Sequence, residues 1–269
     1  MLRQISEITV NGKPLQEILD SHKKWLNNEC GGIRADLRNS NLSYIDLSGS
    51  DLSYSYMSGS DLSNSDLRGS NLRGSDLRNS NLSYSYLSGS DLRYSDLRGS
   101  DLSYSYLSGS DIRGSDLRGS NLSNSDLRGS NLRYSDLRGS NLRGIDLRGI
   151  DLRGSDLRGC NLSNSYLSGS DLRGSDLRGC NLSNSDMRNS DLSYSDLRYS
   201  DLRNSDLDFT QMSLSYKGLK WKIDKRLFCQ IAYHLCSMVI DDAECLKARK
   251  KILPLANQFH RVDECGELE

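Results

Sequence analysis

The chain has 269 residues, a formal net charge of −1, and only 7% aromatic residues. A charge so close to neutral provides no global field to steer the protein onto a polyanion, so direct nucleic-acid binding is not expected. The 7 cysteines show no framework spacing, which suits a reducing compartment and disfavours a secreted disulfide scaffold.

No run approaches the roughly 18 apolar residues of a membrane span. The opening MLRQISEITVNGK lacks the apolar core of a signal peptide. A cytoplasmic location with no membrane partner is therefore expected.

Residues 1–34 differ in composition from the rest of the chain. Ile8 to Val10, then Asn11-Gly12, read as a short strand and turn. From Pro14 to about Asn27, the positions Leu15, Ile18, Leu19, Trp25 and Leu26 form the apolar stripe of an amphipathic helix. Pro14 is tolerated at its first turn and Gly31-Gly32 ends it. The segment is expected to cap the next one, with Trp25 covering an open end.

Residues 35–209 repeat one pentapeptide 35 times, centred on Leu37 and every fifth residue to Leu207, with Met57, Ile112 and Met187 as the exceptions. Ser stands two residues before the centre in 29 of the 35 units. Asp, Asn or Tyr stands one residue before it, Ser or Arg comes after it (Asp208 in the last unit), and most often Gly, Asn or Tyr comes next. A period of five matches neither the helical period of about 3.6 nor the strand period of about 2, but a short extended trio plus a bend produces it. Leu and Ser then face inward and Asp or Asn outward. Gly and Asn after the trio suit a corner of positive φ. Tyr44, Tyr54, Tyr84, Tyr94, Tyr104, Tyr134, Tyr194 and Tyr199 occupy that corner position and predict a second turn type there.

Sorting the centres by position modulo 20 shows how many units close a coil. Arg comes after the centre in 8 of 9 units of the class starting at Leu37, against 2 of 9, 4 of 9 and 6 of 8 in the other three. Asn precedes the centre in 6 of 9 units of the class starting at Leu42. Four units per coil is the consequence.

The units SDLRG, SNLRG and SDLSY resemble the A(D/N)LXX motif of the pentapeptide repeat family, with Ser where that family mostly has Ala. The resemblance implies an all-β solenoid core: a right-handed quadrilateral β-helix of about nine coils, here with an α-helical N-terminal cap and an α-helical C-terminal cap. At about 4.8 Å per coil the rod would be roughly 40 Å long. A buried hydroxyl without a partner costs about 1–3 kcal/mol, so each inward Ser is expected to bond a backbone carbonyl or the Ser one coil away. Ile45, Ile145 and Ile150 replace the small inward residue and are expected to widen the coil locally.

Residues 210–269 leave the repeat. Asp224 is placed to cap a helix running to about Ile240, with Leu227, Phe228, Ile231, Leu235, Met238 and Val239 on a broad apolar face. Asp241-Asp242 begins a second helix, interrupted near Pro254. Leu227, Phe228, Ile231, Leu235 and Val239 are the candidate contacts for covering the last coil and for a homodimer through the C-terminal helices.

Chemistry-bearing residues are few. His22, His234 and His260 lie in the flanks, and Cys229/His234 or Cys245/His260 carry no nucleophile-and-base signature. No metal-ligand spacing is present, no cofactor is expected, and the chain reads as not an enzyme. Cys160 and Cys180 should stack one coil apart as free thiols.

The outer face carries the candidate interaction surface: Asp76, Asp96, Asp116, Asp136, Asp156 and Asp176 in one stripe, Arg78, Arg98, Arg118, Arg138, Arg158 and Arg178 in the next. A self-neutralising surface is the simpler reading of these stripes; a polyelectrolyte-binding face is the other. The functional expectation is a structural repeat protein, a rigid interaction scaffold whose protein partner the sequence does not name. Repetition this uniform fits an idealised, engineered array as well as recent duplication. The resemblance also implies a DNA-mimicking binder of gyrase, as some family members are. An ice-binding face would favour Thr, of which the chain has only Thr9 and Thr210.

Overall fold

The computed structural model describes residues 2–212, 222–238 and 242–268. Through the repeat, each unit makes a parallel one-residue contact with the unit 20 positions on, from Asp36 with Tyr56 to Asp186 with Asp206. Four pentapeptides therefore close one coil, and each coil lies in register on the next.

The unit 95–99 shows where the backbone donors go. Ser95 N–H closes the preceding corner on Leu92 O at 3.2 Å, and Asp96 N–H reaches back one coil to Ser75 O at 3.0 Å. Leu97 N–H and Gly99 N–H reach forward to Asp116 O at 2.7 Å and Arg118 O at 3.1 Å. The remaining donor, Arg98 N–H, is taken by the Asp96 side chain at 3.3 Å. This is an Asx turn, and it explains why the position before the centre is almost always Asp or Asn. All five donors are satisfied, as a structure with this much internal backbone requires.

Every corner uses one conformation. Gly114, Asn79 and Tyr94 have φ of +67°, +57° and +58° at the same position of the unit, and the other seven corner tyrosines also have positive φ. The expected second turn type at tyrosine corners is thus incorrect. Coil-to-coil bonds dictate the corner whatever stands there: Tyr94 N–H is bonded to Arg113 O at 3.0 Å. Glycine one coil further on also makes room for the ring, since a Cβ on Gly74, Gly114 or Gly154 would lie 2.7–2.8 Å from the ring of Tyr54, Tyr94 or Tyr134.

Inside, every centre from Leu37 to Leu207 is buried. Most serine hydroxyls bond a centre carbonyl, and several of those carbonyls accept two. Leu92 O accepts Ser95 Oγ at 2.6 Å and Ser115 Oγ at 2.7 Å, and Met57 O accepts Ser60 and Ser80 at 2.6 and 2.8 Å. Among the described residues no inward serine hydroxyl is buried without a partner. Ile45, Ile145 and Ile150 are buried, yet the bonds from Asp66, Tyr166 and Asp171 to their carbonyls keep lengths of 2.8, 3.0 and 2.9 Å. The coil is not opened there. The carbonyls that lose a hydroxyl donor, Leu122 O and Leu127 O, keep the corner N–H bonds of Ser125 and Ser130.

At the N-terminal end, β1 (Thr9–Val10) and β2 (Lys13–Pro14) form an antiparallel hairpin over the Asn11-Gly12 turn. Helix α1 (Leu15–Leu26) comes directly after it. Ile8, Val10 and Leu15 join the same buried cluster as Leu37 and Leu42. His22 is fully buried there, its Nδ1 accepting Ala35 N–H at 3.1 Å, and half-buried Trp25 stacks on it at 5.6 Å.

At the other end the ladder continues past Phe209. The short strands β3 (Asp191–Leu192) and β4 (Gln211–Met212) pair in parallel, and Lys222 lies on Asp201. Asp224 caps α2 (Lys225–Cys236) by accepting Leu227 N–H. This helix ends four residues short of Ile240, with Ser237 as its cap; Val239 and Ile240 lie outside the described residues. Asp242 caps α3 (Ala243–Ala256). That helix runs two residues beyond Pro254, which forgoes one i→i−4 bond in its last turn. A short α4 (Val262–Cys265) follows.

Candidate interaction surface

The two charged stripes merge into one zipper. Arg118 holds Asp116 of its own unit through two bonds, Nε to Oδ1 at 2.8 Å and Nη2 to Oδ2 at 2.6 Å, and its Nε lies 3.6 Å from Asp136 one coil on. Arg78, Arg98, Arg138, Arg158 and Arg178 repeat this with Asp76, Asp96, Asp136, Asp156 and Asp176, each reaching on to the next carboxylate at 3.6 Å. The Arg78 hydrogen bond holds the Asp76 carboxyl below the usual carboxylate range against the opposing effect of burial. The face is regular but locally neutral. A second zipper, beyond the stripes expected from the sequence, runs along the class starting at Leu52, as Arg93 on Asp91 and Asp111 and Arg153 on Asp151 and Asp171 show. Its signal in the sequence is Arg in 6 of 8 units.

The class starting at Leu42 forms an amide ladder instead. Asn141 Nδ2 donates to Asn121 Oδ1 at 3.1 Å, and Asn121 and Asn81 donate to Asp101 and Asp61 at 3.1 and 3.2 Å. Where this class meets the next, tyrosines stack along the rod: Tyr84 on Tyr104 at 5.0 Å and Tyr86 on Tyr106 at 5.2 Å. With Tyr44, Asn64 and Asn124 they line a cleft of about 450 Å³. Sequence reasoning meets Tyr84 and Tyr104 only as a corner problem, and Tyr86 and Tyr106 only as a further spacing of 20.

The helical candidates divide between two environments. Leu227 is buried in the rod's own core, whereas Phe228 and Leu235 are each 43% exposed. Ile231 is half-buried, and Val239 lies outside the described residues. Helix α2 does not bury its large residues as one face. It packs Ala232, Tyr233 and Cys236 against Ala256 at the end of α3 and Phe259 beyond it.

No reactive pair is assembled from the candidate histidines and cysteines. Cys229 is buried while His234 is exposed. His260 bonds Asp208 and Arg226, both at 3.2 Å. The Asp242 carboxylate beside Cys245 pushes that thiol up, the reverse of nucleophile activation. Cys160 and Cys180 are free, their thiols donating to Leu137 O and Leu157 O at 2.9 Å.

Pentapeptide repeats are matched at residues 33–69, 70–109, 105–144, 145–184 and 170–208. The chain belongs to the pentapeptide repeat family. Membership carries the right-handed quadrilateral β-helix, which the 20-residue register fits. Among solved structures, the chain is similar to HetL of the cyanobacterium Nostoc sp. Strain PCC 7120, a pentapeptide repeat protein involved in heterocyst differentiation regulation. That match has 27% identity over 71% of this chain and 96% of HetL, with a TM-score of 0.47. QnrB1 in a trypsin-treated form, a plasmid-mediated fluoroquinolone resistance protein, matches at 20% identity over 72% and 97% of the two chains, with a TM-score of 0.43. Rfr23 of Cyanothece 51142 matches at 29% identity over 35% and 60%, with a TM-score of 0.31. No curated protein matches the sequence.

Proposed function

We propose that this pentapeptide repeat protein is a non-catalytic scaffold, a stiff rod of about nine coils whose terminal helical segments cover its ends and whose outer faces hold a protein partner in a reducing cytoplasm. One observation carries this. The repeat satisfies most of its backbone donors and its inward hydroxyls internally and pairs most of its acidic side chains with arginine, so what it offers outward is a fixed surface. Family membership supports the same reading. Capture from a bacterial lysate by the intact protein tests it: a partner retained by the wild type and lost when surface residues are exchanged supports a scaffold, and turnover of any retained small molecule would refute it.

A gyrase-binding DNA mimic is the second reading. It needs a strongly acidic rod, whereas 20 Arg offset 24 Asp within residues 35–209 and the zippers place most of these aspartates beside an arginine. Inhibition of supercoiling, or protection from quinolones, at low micromolar protein would decide for the mimic. Exposed Phe228, Leu235 and Met238 on and beside α2 are proposed as the contact with a second copy. Sedimentation as a monomer at high concentration would remove that element.

A further inference from the structure

The tyrosine column beside the amide ladder contains a gap one coil high. Tyr44, Asn64, Tyr84 and Tyr104 succeed one another at a single corner position, 20 residues apart. Tyr84 and Tyr104 stack with rings 5.0 Å apart and 2° from parallel. Between Tyr44 and Tyr84 stands the short Asn64, and all three line the cleft of about 450 Å³. Two strand spacings separate the flanking tyrosines along the rod, about 9.6 Å. A flat group entering over Asn64 would lie about 4.8 Å from each ring, inside the roughly 6 Å reach of a cation–π contact.

Charge selects the kind of flat group. On the adjoining face Asp61 and Asp101 are followed by Ser63 and Ser103, and each accepts a neutral amide, from Asn81 and Asn121, rather than a guanidinium. Elsewhere on the rod, tyrosines next to arginine receive its guanidinium: Arg34 lies 3.8 Å from the Tyr56 ring and Arg133 5.1 Å from that of Tyr134. Tyr44 and Tyr84 lack such a partner among the described residues and remain 49% and 52% exposed.

We propose that this cleft is a docking site for an arginine-bearing peptide segment, one guanidinium entering between Tyr44 and Tyr84 over Asn64 while Asp61 and Asp101 attract its neighbours. Arginine is favoured over lysine because its planar guanidinium stacks on rings. The inference deepens the scaffold reading by naming the chemistry of what is held.

The test is fluorescence anisotropy of a labelled tetra-arginine peptide with the full-length protein, at low and moderate salt. Two variants are compared. Tyr84→Asn removes one ring while keeping a residue that holds positive φ at positions 64 and 124, and Asn64→Tyr fills the gap with a ring. Each is expected to weaken binding roughly tenfold, the loss expected for a partly desolvated cation–π contact. A tetra-lysine peptide should bind several-fold more weakly, and a tetra-citrulline peptide, flat but neutral, should not bind. Saturable binding untouched by Asn64→Tyr, equal binding of the citrulline peptide, or no saturable binding at low salt would each overturn the proposal. Capture of a protein partner that does not compete with tetra-arginine would overturn it too, while leaving the scaffold reading intact.

Discussion

Gly114 and Gly109 occupy the same position of the pentapeptide, both at φ +67°, yet alanine should cost them differently. At Gly109 an added Cβ meets nothing within 4 Å, so Gly109→Ala carries only the left-handed backbone cost of about 1–2 kcal/mol. At Gly114 the same atom would lie 2.8 Å from both Cδ1 and Cε1 of Tyr94. The ring is exposed and can swing away, so the added cost should fall near the low end for an overpacked methyl, about 1 kcal/mol. Tyr94→Asn in the Gly114→Ala background should recover that part alone, a coupling of about 1 kcal/mol. Stacked coils unfold without strict two-state behaviour, so guanidinium unfolding should be paired with hydrogen exchange of the Tyr94 amide, which bonds Arg113 O across coils. Equal costs at the two glycines, or no recovery in the double variant, would refute ring-on-glycine packing.

Ser115→Ala should cost no more than about 1 kcal/mol, because Leu92 O keeps the Ser95 N–H and hydroxyl; a severalfold larger loss in the same unfolding series would contradict the forked arrangement. Asp76 has a depressed folded-state pKa because Arg78 bonds its carboxylate, so its stabilisation is present above the ordinary 3.8 and lost as pH falls through the lower folded value. Melting temperature should therefore drop in strong acid, less steeply in Asp76→Asn, and a flat profile to about pH 2 would count against the zipper. Burial lowers the His22 pKa from 6.5 despite opposing effects from the Ser53 backbone and Asp51, with Arg34 assisting. Stability linked to His22 is full above 6.5 and declines as pH falls below it; that slope should vanish in His22→Gln, and its persistence would point to another group. Removing residues 210–269 should expose the last coil and cause aggregation; a truncated rod that sediments as a soluble monomer would show that the helices are not needed as a cover.

Much of this molecule is legible because its period is its fold. An apolar residue every fifth position, and an arginine bias repeating every twentieth, fix four units per coil by themselves. Asp or Asn before the centre reads in the sequence as merely outward-facing, since the Asx bond to the next-but-one N–H depends on a backbone conformation that spacing alone does not reveal. The tyrosine corners mislead for a related reason. Intrinsic preference disfavours positive φ for Tyr84 or Tyr94, but the inter-coil ladder and the neighbour one coil away set the local conformation. Helix α2 is visible in Asp224 and its apolar pattern, while which residues it buries is decided by its packing against Ala256 and Phe259.

The sequence by itself determined the coil, its leucine interior and the chemistry of each face, because those properties arise from a one-dimensional period. Only the tertiary structure decided how the charges pair, how the serine hydroxyls fork onto shared carbonyls, and where a missing ring leaves a gap. Each of these depends on residues 20 or more positions apart coming within a few ångströms, and side-chain direction at that range is set by the stacked backbone.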